Sequence, residues 1–174
     1  MCIFDLFNNL HMALNLDKTD FQILRILQER GRITNIQLSN EIGLSPAPTL
    51  ERVKKLEKTG IIKSYHAVVD AERLGLGIST FIQITLHWNK VDAINNFIQR
   101  IEDIEEVVEC YHVTGGADFL LKVQVKNIGS YERLILDRLS KIEEIGNLQT
   151  MMILSTFKLS RKVPLDYDSP TIKR

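Results

Sequence analysis

The fold of the first third of the chain is decided by one stretch, residues 43–57, with the sequence GLSPAPTLERVKKLE. Gly43 interrupts the helical pattern before it, and Ser45 is a favourable helix N-cap. Pro46 and Pro48 fall in the first turn, where a missing backbone N–H breaks no intrahelical hydrogen bond. The stretch therefore predicts a helix beginning at Ser45, with a buried stripe formed by Leu50, Val53 and Leu56.

Two shorter helices are predicted before this one. Asp17 and Asp20 lie near the start of the first, where the helix dipole favours anions. Thr34 and Gln37 fit a capping box at the start of the second. The β-prone run 61–69 follows the third helix and predicts a short hairpin, or wing. Residues 16–70 are therefore predicted to form a winged helix-turn-helix DNA-binding domain, whose second motif helix suits the major groove.

The pattern changes after residue 77 to strand, helix, strand, and then repeats. Alternating apolar residues predict strands near 82–88, 107–113, 119–125 and 150–159, and helical spacing predicts helices near 94–101 and 131–142. The order βαββαβ predicts a ferredoxin-like domain over residues 78–159, so the fold class is α+β. The remaining segments are predicted to be an N-terminal extension (1–15), a hinge (71–77) and a C-terminal tail (160–174).

Charge is distributed unevenly along a chain that is neutral overall. The 174 residues are 44% hydrophobic and 25% charged, which excludes a wholly disordered protein, and 22 Lys and Arg balance 22 Asp and Glu. Between Ser45 and His66, however, five basic and two acidic residues leave a net charge of plus three. From Leu76 to Ser160 the net charge is minus three. The predicted DNA-binding helix therefore carries the local positive patch that phosphate binding requires.

The third helix supplies most of the candidate DNA contacts. At about 100° per residue, Arg52 and Lys55 lie opposite the predicted buried stripe. The fork of Arg52 suits two acceptors on guanine, so Arg52→Ala should weaken specific binding more than nonspecific binding. The alternative is a solvated helix face with Glu51 and Lys55 paired. The predicted DNA-binding residues are Thr34, Asn35, Ser45, Pro46, Ala47, Thr49, Arg52, Lys54 and Lys55.

Other kinds of site find little support in the sequence. Cys2 and Cys110 share no metal-ligand spacing, and the four histidines are scattered. No nucleophile elbow, phosphate loop or dinucleotide fingerprint is present, and no apolar run approaches the roughly 18 residues of a membrane span. We therefore predict a cytoplasmic protein that is not an enzyme, without metal, cofactor or membrane partner.

Two motifs together resemble the leucine-responsive and AsnC-like (Lrp/AsnC) transcription regulators. They are the sequence LDKTD at residues 16–20 and the stretch 43–57. The resemblance spans residues 16–159, and it implies a winged helix-turn-helix joined to a βαββαβ effector-binding (RAM) domain. It also implies DNA contacts from Ser45 to Lys55, amino-acid effectors, dimers built through the effector domain, and octamers assembled as tetramers of dimers.

The resemblance also identifies a candidate effector site at the turn 113–119, VTGGADF. Its glycines let the backbone approach a small zwitterion, whose carboxylate takes main-chain N–H donors while Asp118 holds the ammonium. The alternative is a plain hairpin turn without a ligand. The sequence departs from better-known members at positions 116 and 117, where they often carry Asp and an aromatic residue. The predicted effector-binding residues are Gly115, Gly116, Ala117, Asp118, Thr150, Met151 and Met152.

The partners predicted are double-stranded DNA, a small effector and further copies of the chain. The apolar run 151–154 (MMIL) is too hydrophobic to leave in water, which favours a homodimer. Met151 and Met152 favour an apolar or sulfur-containing amino acid as effector. Two other functions remain open: an architectural protein that wraps DNA with little sequence preference, and a small-molecule sensor or metabolic protein whose helical head binds protein.

Overall fold

A computed structural model describes residues 16–88 and 91–165, which divide into two compact units. The head unit comprises residues 16–68 together with 160–165, and the sheet unit comprises residues 69–159. The predicted N-terminal extension lies outside the described residues, as do residues 166–174 of the predicted tail.

The head unit contains three helices: α1 (Lys18–Glu29), α2 (Asn35–Ile42) and α3 (Pro46–Lys58). Asp17 and Asp20 cap α1 reciprocally, each carboxylate accepting the other residue's backbone N–H. The predicted capping box of Thr34 is formed at α2, and Gly43 ends that helix in the left-handed conformation at φ 72°. Four residues form the buried core between the helices: Ile23, Leu24, Leu38 and Leu56.

The predicted buried stripe of α3 was wrong at Leu50, which is 41% exposed. Thr49 and Leu56 are buried and Val53 is partly buried, so the inward face is rotated from the predicted one. Thr49 fits inside because its hydroxyl donates to the carbonyl of Ser45 at 3.0 Å, which satisfies its polar group. The sequence pattern favoured Leu50 because it is more apolar, whereas the packing accepts the threonine.

The predicted wing hairpin is not formed, because residues 61–70 contain no strand. Ile61 and Ile62 pack at the edge of the head core, and both of their N–H groups bond to the carbonyl of Leu56. The Tyr65 hydroxyl donates to Glu57 at 3.0 Å, and burial together with this carboxylate raises the pKa of Tyr65 to about 12. Only Ile61 and Ile62 of the β-prone run therefore pack onto the helices, whereas Val68 and Val69 are mostly exposed, and the run pairs with no strand among the described residues.

The sheet unit has the predicted ferredoxin-like architecture. Its strands are β1 (Ile78–Leu86), β2 (Val107–His112), β3 (Phe119–Val125) and β4 (Ile145–Met152), in the antiparallel order β2-β3-β1-β4. Helix α4 (Val91–Glu102) follows β1, and α5 (Ile128–Arg133) follows β3. One face of the sheet buries the core against these helices, with Phe97, Ile82, Leu121 and Leu139 fully buried.

The helical segment after β3 departs from regular α geometry. Helix α5 continues as a π-helix at Leu134–Arg138 and a 3-10 turn at Leu139–Lys141. The Leu139 N–H bonds to the carbonyl of Leu134, five residues earlier. The wider π-helical turn brings residues five apart closer to one side of the helix than an α-helix does, and both leucines are buried in the core.

The fourth strand lies earlier than residues 150–159, the position predicted for it. In the observed register Met152 pairs with Thr80, and the Ile153 N–H bonds to the carbonyl of Ser79 at 3.0 Å. Since β1 begins at Ile78, the chain beyond Ile153 has almost no partner strand left. The alternating apolar residues of 153–159 therefore extend beyond the beginning of β1, where this chain offers no strand to pair with them.

The predicted hinge is a hydrogen-bonded turn that belongs to the sheet unit. The Leu76 N–H bonds to the Ala71 carbonyl, and the Gly75 N–H bonds to the Glu72 carbonyl, each at 2.9 Å. Gly75 adopts φ 82°, a conformation that favours glycine.

Thr80→Val is expected to stabilise the sheet unit by about 1 kcal/mol. The Thr80 hydroxyl is fully buried and has no hydrogen-bond partner among the described residues, so an isosteric methyl removes a desolvation cost. Urea unfolding measures the effect. Thr85→Val is the control because Thr85 lies partly exposed on the opposite face of β1, and an equal gain there would contradict the explanation.

Candidate nucleic-acid and effector sites

The start of α3 presents polar groups that its own helix does not use. Ser45 occupies the N-cap position, but its hydroxyl makes no capping bond. Pro48 occupies the N3 position and has no N–H, which removes one of the two donors that an N-cap hydroxyl usually accepts. The hydroxyl and the N–H of Ala47, which has no intrahelical acceptor, therefore remain as donors on an exposed turn, an arrangement suited to a phosphate.

Two lysines on α3 face solvent as predicted. Lys54 Nζ lies 3.4 Å from Glu51 Oε1, so Glu51 pairs with Lys54 and not with Lys55. Lys55 is exposed and forms no ion pair with any described residue. The alternative arrangement, a Glu51–Lys55 pair, is therefore not formed. The ammonium of Lys55 is left available to bind an anion.

The predicted orientation of Arg52 was wrong. Its Nη1 lies 2.7 Å from Asp17 Oδ2 and 2.7 Å from Asp20 Oδ1, and the Asp20 side chain is only 2% exposed. The bonds to Asp20 and Asp17 raise the pKa of Arg52. Burial alone would raise the pKa of Asp17, but the Asp20 N–H and the Arg52 guanidinium together lower it. Arg52 thus turns inward because the α1 cap places two carboxylates beside it, and it holds α3 against α1.

The remaining predicted head residues divide between framework and surface. The Thr49 hydroxyl is buried and used, so Thr49 cannot contact phosphate as predicted. The Thr34 hydroxyl is exposed but engaged with Gln37, and Asn35 Nδ2 donates to the Pro46 carbonyl at 2.8 Å, which ties α2 to α3. Sequence reasoning missed Leu50, which shares the exposed face with Ala47 and Lys54 at helical spacing.

In the sheet unit, Asp118 fastens the candidate effector turn to β1. Its Oδ2 accepts the Leu86 N–H at 2.8 Å, its N–H donates to the Ile84 carbonyl at 2.9 Å, and its carbonyl accepts the Val113 N–H at 2.9 Å. The Leu86 bond uses only Oδ2, so the carboxylate keeps acceptor capacity at Oδ1, and its ammonium-holding role stays a prediction. The exposed part of the turn includes Gly115, at φ 129°, and Gly116, around which there is open space.

The other predicted effector residues lie on different faces of the sheet. Thr150 faces the helices, where its hydroxyl bonds to that of Tyr131. Met151 pairs with Phe81 on the opposite face, and Met152 pairs with Thr80. Since Asp118 bonds to β1 at Ile84, Met152 lies about 13 Å further along the sheet at about 3.3 Å per residue. A single chain therefore does not bring the turn and the end of β4 together.

In the part of the chain that the structure describes, no helix is both long and apolar enough to cross a membrane. No cluster of three or more histidine, cysteine or acidic side chains there has the arrangement of a metal site.

Known proteins share both units of this chain. Residues 16–63 match the family model of winged helix-turn-helix DNA-binding domains, and residues 79–163 match that of the Lrp/AsnC ligand-binding domain. The transcriptional regulator AzlB of Bacillus subtilis is 39% identical over 155 residues, which cover 89% of this chain and 99% of AzlB. The leucine-responsive regulatory protein of Escherichia coli is 35% identical over 149 residues, covering 86% of this chain and 91% of that protein.

Solved structures of transcriptional regulators are also similar to this chain over most of its length. A transcriptional regulator from Neisseria meningitidis, solved in complex with L-methionine, has a TM-score of 0.83 and 35% identity, covering 87% of this chain and 97% of the other. Escherichia coli AsnC has a TM-score of 0.78 and 28% identity, covering 85% and 97%.

A DNA-binding head joined to a ligand-binding βαββαβ unit defines a class of protein, the ligand-responsive transcriptional regulators. Within that class, the chain belongs to the Lrp/AsnC family, and it is a regulator of that type.

Proposed function

We propose that this regulator binds duplex DNA through the exposed face of α3 and that an amino acid modulates the binding. It acts in the cytoplasm and has no enzymatic activity. The observation that carries the DNA part is the outward face of α3, where the Ser45 hydroxyl, the Ala47 N–H and the Lys55 ammonium all lack partners within the described protein. Such donors fix a helix on phosphates, and apolar Leu50 between them suits contact with a base edge.

Lys54→Gln and Lys55→Gln are each expected to reduce by about 1 the slope of log affinity against log salt concentration. Each removes one phosphate contact and releases one fewer counterion. Fluorescence anisotropy with a labelled duplex, repeated over a salt series, measures the slope. Lys141→Gln is the control, since that lysine is exposed on the helical side of the sheet unit and forms no ion pair with the described residues. A salt-independent affinity of the unmodified protein would count against DNA binding by this face.

The proposed effector is a small apolar or sulfur-containing amino acid bound by the turn at Gly115 and Gly116. A relative of 35% identity has been solved with L-methionine, which supports this ligand class. The exposed turn offers unhindered backbone, and a second copy of the chain completes the pocket, because one chain separates the turn from Met152. Asp118 holds the turn in shape through Oδ2, and its Oδ1 is the acceptor proposed for the ammonium.

Gly116→Leu is expected to weaken L-methionine binding by about tenfold or more, because the added side chain fills the space proposed for the ligand. The change should leave the stability nearly unaltered, since a Cβ at Gly116 meets no atom within 4 Å. Isothermal titration measures the binding and thermal unfolding is the control. Equal methionine affinity in both proteins would remove the turn from the proposed site.

The proposed assembly is a homodimer built through the sheet unit, with octamers formed as tetramers of dimers. The sheet face away from the helices carries partly exposed apolar side chains, among them Phe81, Leu120 and Met151. Beyond β4, Leu154 and Phe157 are almost fully exposed, Phe157 at 98%. Apolar surface of this extent is typical of a protein that buries it against another copy.

A further inference from the structure

The C-terminal segment of the chain returns to the unit in which the chain began. The path leaves the head unit after Val68, forms the whole sheet unit, and re-enters the head unit at Ser160. We infer that residues 160–165 (SRKVPL) are a strap that docks on α1. The head unit is thereby connected to the sheet unit by a second segment of the chain, in addition to the segment that follows Val68. This inference rests on the proposed function only for what the strap does to DNA binding.

Three residues of the strap, Lys162, Val163 and Leu165, make polar contacts with α1. The carboxamide of Gln28 pairs with both backbone groups of Val163: Oε1 accepts its N–H at 2.5 Å, and Nε2 donates to its carbonyl at 3.3 Å. Arg25 Nη2 donates to the Leu165 carbonyl at 3.0 Å. Lys162 Nζ lies 2.9 Å from Glu29 Oε1, and this bond lowers the pKa of Glu29.

The sequence of the strap favours this mode of docking. The residue before a proline is restricted to extended conformations, in which its N–H and C=O point to the same side, so one carboxamide reaches both groups of Val163. Pro164 has no N–H to leave unpaired. Leu165 packs at the edge of the head core, and Val163 and Leu165 help to line a cavity of about 290 Å³ between α1 and residues 61–65.

The docked strap leaves the DNA-binding face of the head open. Its polar contacts are to Arg25, Gln28 and Glu29 on α1, and among the described residues none of them is to α3. The strap therefore restrains the head without covering α3. A head unit with two chain connections moves less than a head unit with one. The heads of an assembly can therefore bind pairs of DNA half-sites over a narrower range of spacings.

The test compares the full-length protein with Gln28→Ala and with Gln22→Ala. Gln22 is the matched control because it lies exposed on the same helix and forms no hydrogen bond with the described residues. Limited trypsin digestion followed by mass spectrometry measures cleavage after Arg161 and Lys162. We expect Gln28→Ala to accelerate this cleavage about tenfold, because the docked strap must open before the protease can bind it, and Gln22→Ala to leave it unchanged.

A second measurement uses duplexes that carry two copies of a half-site, selected by the protein from random DNA, at a series of spacings. The affinity of Gln28→Ala should vary less with spacing than that of the unmodified protein. Equal cleavage rates in all three proteins would overturn the docking. Faster cleavage with an unchanged spacing profile would overturn the restraint. If the unmodified protein binds none of the duplexes, the proposed DNA function fails, and the digestion still decides whether the strap docks.

Discussion

Arg52→Met is expected to lower the free energy of unfolding of the head unit by about 3 kcal/mol, the lower end of the range for breaking a buried ion pair. The substitution leaves the carboxylate of Asp20, which is 2% exposed, without its cation. The lower end applies because a third of the Arg52 side chain is exposed and solvent screens part of the interaction. Urea unfolding followed by circular dichroism measures the change.

The control is Lys55→Met, on the exposed face of the same helix, which should change stability by less than about 0.5 kcal/mol. Adding Asp20→Asn to Arg52→Met should recover part of the loss, because the uncompensated charge is then removed. Equal losses from Arg52→Met and Lys55→Met would show that Arg52 does not bridge α1 and α3.

The effect of Arg52→Met should depend on pH. Since the pKa of Asp17 is lowered in the folded protein, its contribution to stability is present above the unfolded pKa and is lost as the pH falls through the folded pKa. The difference between the two proteins should therefore be largest near neutral pH and shrink in the acid range. Arg52→Met should also weaken binding to specific and to random DNA by the same factor. An exposed arginine that contacts bases would instead lose more affinity for specific DNA.

Ala47→Glu is expected to weaken duplex binding about 100-fold at low salt, because a carboxylate is placed where the start of α3 would approach phosphate. The same substitution should not unfold the helix, since an acidic residue in the first turn interacts favourably with the helix dipole. Ala47 lies between two prolines on an exposed turn, so the longer side chain has room. Anisotropy with a labelled duplex measures the affinity.

Ala47→Gln separates charge from size in this experiment. It should weaken binding far less than Ala47→Glu, and raising the salt concentration should narrow the gap between the two variants. Similar losses in both would mean that the turn is crowded and not placed beside phosphate. No loss in either would remove the start of α3 from the DNA interface.

Local chemistry in the sequence predicted the elements that depend on neighbouring residues. Thr34 and Gln37 cap α2 because the two side chains and two N–H groups lie within one turn. Gly43 ends the helix because it adopts a positive φ at little cost. The alternating residues of β1 and β3 predicted which side chains enter the core of the sheet, because the strand period of two fixes them.

The sequence pattern did not predict features that depend on distant partners. Leu50 was expected inside and Arg52 outside, yet Asp17 and Asp20, more than thirty residues away, draw Arg52 inward. The end of β4 depends on where β1 begins, and the apolar residues of 153–159 carry no signal of that limit. The resemblance to the Lrp/AsnC family placed Met152 and the turn at Gly115 and Gly116 in one effector site. The register of β4 on β1 separates Met152 from that turn within one chain.

By itself, then, the sequence determined the two-unit architecture, the helix boundaries around Gly43 and Ser45, and the family, because caps, breakers and periodicity act over a few residues. Only the tertiary structure decided which side of α3 faces outward, what Arg52 and Asp118 bind, and where residues 160–165 dock. Those outcomes depend on charges and hydrogen-bonding groups that folding brings together from distant parts of the chain. The local sequence pattern does not indicate which of these groups will lie close together.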